Sequence, residues 1–286
     1  MTTLEQLQAG IVIPIDKPRQ WTSFQAVNKI KAVVHNTYGQ RASNGATASF
    51  KDGLKKFKIG HAGTLDPLAT GLLLICVGKA TKSIPQLQDG DKVYTGTMVL
   101  GATTPCFDLE RPIEQYYPYE HITQALVEEK AKEFTGTILQ TPPMFSAVKI
   151  DGQRAYELAR EECGEGQAEK GEPRAKSVTI YSFEITAFRP GAQDEQSSTL
   201  SPLTSHLSPL TSHLYKNPLG EVPSHLPQVD FRIHCGKGTY IRSLARDLGE
   251  ALGSGAFLSA LRRERVGNYT VDRALDLDQV QAFLTQ

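Results

Sequence analysis

Val229-Asp230-Phe231-Arg232-Ile233-His234-Cys235-Gly236-Lys237-Gly238-Thr239-Tyr240-Ile241-Arg242-Ser243-Leu244-Ala245-Arg246-Asp247-Leu248-Gly249-Glu250-Ala251-Leu252-Gly253 reads as a strand, a glycine turn and a helix. Residues 229, 231, 233 and 235 are apolar in strict alternation, the pattern of a half-buried strand. Gly236 and Gly238 then break the alternation. From Ile241 the period changes: Ile241, Leu244, Ala245, Leu248, Ala251 and Leu252 share one helical face, and Gly253 stops it. Working outward, Ser177 to Phe188, Lys92 to Gly101 and Ile11 to Ile15 read as strands. Thr22 or Ser23 caps a helix with Phe24, Val27, Ile30 and Val34 on one face, and Leu275 to Leu284 reads as a last helix. Strands and helices interleave without a regular βαβ rhythm, which predicts an α+β fold over a doubly wound parallel sheet.

The 286 residues can bury a full core, as one large domain or two small ones. With 40% hydrophobic and 22% charged residues, wholesale disorder, collagen and coiled coil are excluded. The longest apolar stretch, Leu72 to Val77, is too short to cross a bilayer, and the N-terminus lacks the basic start and apolar run of a secretory signal. Cys76, Cys106, Cys163 and Cys235 are dispersed, with no CxxC pair. Dispersed thiols in a chain without a secretory signal predict reduced, buried cysteines in a cytoplasmic protein with no structural zinc.

Net charge is +0, but the charges are segregated. Seven Lys and Arg stand between Lys29 and Lys58 against Asp52 alone, and Phe231 to Arg246 holds four basic residues and no acidic one. Such segments suit a polyanion, although a solvated charged face is at least as common for any one of them. Residues 190–228 contain six prolines and the tandem SPLTSHL at 201–207 and 208–214. A proline in each unit forbids a heptad helix, so the segment is expected to be a solvated low-complexity insertion, and its histidines 206, 213 and 225 are not taken as metal ligands. A second insertion is expected at 39–56, and residues 161–175 read as a polar loop.

One segment is unlike the rest: Lys58-Ile59-Gly60-His61-Ala62-Gly63-Thr64-Leu65-Asp66-Pro67-Leu68-Ala69-Thr70-Gly71. Its glycines permit positive φ and close backbone approach to a ligand, and Pro67 drives Asp66 out of helical geometry. The Asp66 carboxylate therefore sits on a constrained loop leading into the apolar run, a natural place for a catalytic group. Taken alone, Asp-Pro is more often a turn and His61 more often a hydrogen-bonded surface residue. The following GLLLICVGKAT is no phosphate loop: six apolar residues separate its glycines where four are needed, and Ala80 follows Lys79.

GHAGTLDPLATGLLLICVGKATK resembles the signature of the TruB family of tRNA pseudouridine-55 synthases. Four more motifs follow the family's order: Asp16-Lys17-Pro18 with Trp21-Thr22-Ser23, Lys92-Val93-Tyr94, Gln140-Thr141-Pro142-Pro143-Met144-Phe145-Ser146-Ala147-Val148-Lys149, and Lys237-Gly238-Thr239-Tyr240-Ile241-Arg242. Leu261-Arg262-Arg263 is similar to a further family strand. The resemblance implies an α+β pseudouridine-synthase core, with a mixed, largely antiparallel central sheet flanked by helices and loops. It implies one catalytic domain over 1–286, carrying the insertions at 39–56 and 190–228. The family's C-terminal RNA-binding PUA domain is not expected, because the chain ends soon after the last helix.

The implied reaction breaks the N1–C1′ bond of a uridine, rotates the base and joins C5 to C1′. Nothing is oxidised, so no cofactor and no metal is expected. Asp66 matches the family nucleophile, Arg242 its arginine partner, and Tyr94 the tyrosine that lies against the uracil as stacker or base. Tyr240 and Leu261 match pocket-lining positions and His61 the substrate-loop histidine. Lys17 reads equally as a structural or a phosphate-binding residue. The expected partner is the T-arm stem-loop of tRNA, with no membrane and no obligate protein partner, for a monomeric enzyme. The alternatives are the catalytic subunit of a guide-RNA pseudouridylation complex and an RNA-folding module of the same fold. Intact Asp66, Tyr94 and Arg242 argue against the module.

Overall fold

The computed structural model describes residues 4–43, 58–144, 149–150, 153–154, 174–192 and 222–285. In chain order the elements are α1 (Leu4–Ala9), β1 (Ile11–Lys17), α2 (Ser23–Ser43), β2 (Ile59–Ala62), β3 (Thr70–Val77), α3 (Ile84–Asp89), β4 (Lys92–Leu100), β5 (Ala102–Thr103) and β6 (Gln115–Tyr116). There follow α4 (Gln124–Glu133), β7 (Gly136–Gln140), β8 (Lys149–Ile150), β9 (Gln153–Arg154), β10 (Lys176–Arg189), β11 (Gln228–Cys235), α5 (Ile241–Ala251), β12 (Ala256–Val266), β13 (Tyr269–Thr270) and α6 (Gln279–Thr285). Strands and helices alternate irregularly, as an α+β chain should. Of the four cysteines, Cys163 lies outside the described residues; the other three are buried and none is in a disulfide. Among the described residues no helix is long and apolar enough to cross a membrane.

Two compact units divide the chain. The first comprises Met1–Thr95, His234–Lys237 and Leu261–Gln286. Its strand order is β1-β3-β12-β4-β11. β3 is the reason for this arrangement. The run Leu72 to Val77 has no polar face, so it can be satisfied only by burial on both sides, and every residue of it is buried. β1 pairs antiparallel with β3 from Ile11↔Val77 to Lys17↔Gly71. On its other edge β3 pairs parallel with β12 through Arg263↔Gly71, and antiparallel with β2 through His61↔Ile75.

α2 covers this unit with Ala26, Val27, Ile30 and Val34, all buried. Phe24, expected on that face, is 68% exposed. Ser23 takes its place: at 100° per residue it stands beside the direction of residues 27, 30 and 34, while Phe24 turns off the edge of the stripe. The cap is Thr22, in a capping box: Thr22 Oγ1 accepts from Gln25 N–H at 3.0 Å, and Gln25 Oε1 accepts from Thr22 N–H at 2.8 Å. The last helix begins at Gln279, later than the sequence suggests, because Leu275 is held as an isolated bridge partner of Ile15.

The second unit comprises Gly96–Ile233 and Gly238–Ala260, with strand order β12-β4-β11-β10-β7. β11 alternates as expected, burying Val229, Phe231 and Ile233. The helix after it, α5, buries Ile241, Leu244, Ala245 and Leu248, and Gly253 at φ +65° follows its end. Here β7 pairs antiparallel with β10. Of the expected insertions, residues 44–56 and 193–221 lie outside the described residues, as do Phe145 to Val148 and most of 161–175. The remainder of the 190–228 segment is packed: Leu226 is buried, and Ala192 N–H donates to Ser224 O at 2.9 Å.

Candidate active site

In the first unit the loop Gly63 to Ala69 carries Asp66 into the start of β3. Five consecutive carbonyls of this loop have partners. Gly63 O and Thr64 O accept from Arg263 Nη2 and Nη1 at 3.0 and 3.5 Å. Leu65 is clamped by Ser23, whose hydroxyl accepts from Leu65 N–H at 2.8 Å and donates to Leu65 O at 3.0 Å. Asp66 O accepts from Ala69 N–H at 3.2 Å, closing a turn. Pro67 O accepts from Gln20 N–H at 2.8 Å and from Lys17 Nζ at 3.3 Å. A loop so fully bonded holds its half-buried carboxylate in one place, which is what a nucleophile requires.

Sheet register explains why two cations converge there. Lys17 on β1 and Arg263 on β12 are both paired with Gly71 of β3, one from each side. Both side chains are fully buried. Lys17 also donates to Trp21 O at 2.6 Å and Pro18 O at 3.1 Å, so its donors are committed to carbonyls. Burial pulls the Lys17 ammonium down to about 8, against the opposing pull of the Asp66 charge. The close backbone approach expected of the glycines is made by Arg263. Gly71 has φ +98°, and a Cβ there would lie 2.4 Å from Arg263 O; Gly63 has φ +90°.

Tyr94, on β4, is buried. Burial pushes the phenol above its ordinary value; Arg263 opposes the shift and the Asp66 charge adds to it. Tyr94 is therefore a neutral phenol at pH 7. His61, half-buried on β2, is held below the ordinary histidine value by burial and then by Arg263, against a hydrogen bond with the Gly63 backbone, so its imidazole is neutral at pH 7. Leu261 is half-buried on β12, and its carbonyl accepts from Thr70 Oγ1 at 3.4 Å. Lys17, His61, Asp66, Tyr94 and Leu261 thus belong to one unit, joined by Arg263 and the Asp66 loop.

Tyr240 and Arg242 belong to the second unit. Gln140, 1% exposed, fixes Tyr240 by both ends of one amide: its Oε1 accepts from Tyr240 N–H at 2.8 Å, and its Nε2 donates to Tyr240 O at 3.1 Å. Ser243 Oγ donates to Thr141 O at 2.8 Å, tying the first turn of α5 to the same segment. Arg242 is buried; it donates to Cys106 O at 3.2 Å and lies 3.7 Å from the buried Asp108 carboxylate. Sequence reasoning overlooked four of these residues. Gln140 and Arg263 stood inside quoted motifs with no role assigned, Ser23 was read only as a cap, and Asp108 carried no motif at all.

The mixed sheet that carries this loop has counterparts among solved structures. The chain aligns over 97% of its length with a chain of a Cbf5-Nop10-Gar1 complex, at 25% identity and a TM-score of 0.58, and covers 55% of that chain. A chain of an H/ACA RNP bound to a substrate RNA containing 2'-deoxyuridine shares the fold at 23% identity and a TM-score of 0.56, and is likewise covered over 55% of its length. The class so defined is that of the pseudouridine synthases.

Residues 51–201 match the N-terminal domain of the TruB family pseudouridylate synthases, and residues 242–286 match the tRNA pseudouridylate synthase B C-terminal domain. The tRNA pseudouridine synthase B of Flavobacterium johnsoniae is 45% identical over 96% of this chain and 96% of its own length. That of Phocaeicola vulgatus is 42% identical over 97% and 94%. The chain belongs to the TruB family of pseudouridylate synthases, which are isomerases.

Proposed function

We propose that this enzyme is a cytoplasmic, monomeric tRNA pseudouridine synthase that isomerises the T-loop uridine at position 55, with Asp66 as nucleophile. The observation that carries the reading is the Asp66 loop, in which every carbonyl from Gly63 to Pro67 is bonded. Relatives named tRNA pseudouridine synthase B match this chain nearly end to end, which favours a stand-alone tRNA enzyme.

In the reaction proposed, the Asp66 carboxylate attacks or stabilises C1′ as the N1–C1′ bond breaks and the uracil leaves with the bonding pair. The base turns, C5 joins C1′ as the Asp66 carboxylate is released, the C5 proton is lost and N1 gains one. Atoms balance without an oxidant or a nucleotide. A target base must first leave its stack, and stacking on the Tyr94 ring offsets part of that cost. His61, neutral at pH 7, suits contact with the RNA vacated by the base.

The test is Asp66→Asn, which keeps size and removes the nucleophilic charge. The purified variant should form no pseudouridine in a tRNA transcript while keeping its melting temperature and most RNA binding. Normal turnover would exclude Asp66 as nucleophile. Pseudouridine-specific labelling of tRNA from a deletion strain should lose the signal at the T-loop uridine alone. Loss at another uridine would redirect the substrate assignment.

A further inference from the structure

Arg263 is the largest fully buried side chain of the described residues, at 1% exposure. A buried arginine ordinarily faces a carboxylate, because removing a charge from water costs more than neutral acceptors return. Its neighbour Arg262, on the opposite face of β12 and only half-buried, grips Asp16 with two bonds of 3.0 and 2.6 Å. Arg263, fully buried, has no carboxylate in hydrogen-bond contact among the described residues. All its hydrogen bonds among the described residues go to neutral oxygens: Leu72 O from Nε at 2.8 Å, Gly63 O and Thr64 O. A packed aliphatic side chain would stabilise the fold at least as well.

What these acceptors share is their placement around Asp66. Gly63 and Thr64 precede the carboxylate in the loop and Leu72 follows it. The planar guanidinium has five N–H donors in fixed directions, so one group sets the relative positions of all three oxygens. Gly63 and Gly71 adopt positive φ where the loop meets this residue, and Gly71 has no room for a Cβ against the Arg263 backbone. The backbone is shaped to receive the fork.

We propose that Arg263 is a positioning residue for the isomerisation: one guanidinium holds the Asp66 loop and the start of β3 on the two sides of the carboxylate, and so fixes the nucleophile in place. The proposal rests on the assignment of Asp66 to the reaction. It extends that assignment to a residue that never touches the substrate.

Arg263→Lys keeps the charge but cannot span the three oxygens, and Arg263→Met removes both. On a T-arm stem-loop RNA, both variants should lose about 100-fold in kcat, with KM within about threefold of the parent and a cooperative melt. Either variant folding and turning over within threefold of the parent overturns the proposal. A parent that fails on this RNA while acting on another would instead remove the T-loop assignment and leave Arg263 to be tested on that RNA. Hydrogen exchange of the parent without RNA serves even if both arginine variants fail to fold. Its Leu65 and Ala69 amides should exchange as slowly as those of β3. Exchange at the rate of an open loop would show that the loop is not held and overturn the proposal.

Discussion

Lys17 shows how a single residue can be read from sequence in kind and not in state. Its motif marks it, and burial against three carbonyls decides what it does. Its folded pKa is about 8 and its ordinary value 10.5. Between those values the unfolded chain holds a proton that the folded chain has released, so raising the pH favours folding. Below pH 8 both states hold it and the contribution is flat. The stability difference between the parent and Lys17→Met should therefore widen in the parent's favour from pH 8 to 10.5. The slope is at most about 1.4 kcal/mol per pH unit, with a ceiling of about 3 kcal/mol. Urea melts of both proteins at pH 7.5 and 10 measure it; parallel curves would mean the ammonium is solvated. Asp66 was legible because glycines and Asp-Pro disturb the local pattern. Arg263 was not, since an arginine in a strand is ordinarily exposed and nothing local signals its burial.

At the scale of elements, the start of α2 separates two adjacent hydroxyls with different duties. Thr22 caps the helix, while Ser23 bonds both backbone groups of Leu65, 42 residues on. Thr22→Ala should cost about 1 kcal/mol of stability and leave kcat within twofold. Ser23→Ala strands a buried N–H and a buried C=O, costing about 1–3 kcal/mol, and frees the residue next to Asp66, so kcat should fall about tenfold or more. Melting curves and single-turnover rates on the pair distinguish them, and equal kcat losses would refute the division of labour. Helical periodicity could announce α2 and even bracket its cap. It could not say which of two neighbours faces inward, because Phe24 is the more hydrophobic and the choice fell to the serine that Leu65 needs. β11 and α5 posed no such conflict, and both formed where alternation and the 3.6 period placed them. Register was the information missing from sequence: only pairing shows that Lys17 and Arg263 meet at Gly71.

For the whole molecule, the sequence gives interleaved strands and helices, and the α+β order follows; the lengths of chain between them are less constrained. The proline-rich repeat illustrates this. In the second unit β10 ends at Arg189 and the chain is described again from Val222. The two sides touch: Ala192 N–H reaches Ser224 O at 2.9 Å, and a Cβ on Gly191 would meet His225 O. Beyond that contact the His225 ring lies 6.3 Å from those of Tyr116 and Tyr119, Leu226 is buried, and Pro227 O accepts from Leu100 N–H at 2.9 Å. Residues 222–228 are thus part of the packing, and a replacement must spare them. We expect that exchanging residues 193–221 for a short Gly-containing turn preserves folding. Shortening the loop by about three doublings should raise stability by at most about 2 kcal/mol, because closure entropy grows only logarithmically with length. From Gly191 to Gln228 the only basic residue is Lys216, so the exchange removes little attraction for phosphates. Rates on a T-arm stem-loop and on whole tRNA, compared for parent and shortened enzyme, should therefore agree within about twofold. A loss confined to whole tRNA would assign the repeat a contact with the body of the tRNA outside the T arm. A loss on both substrates, with the melting temperature unchanged, would place its influence at the catalytic step.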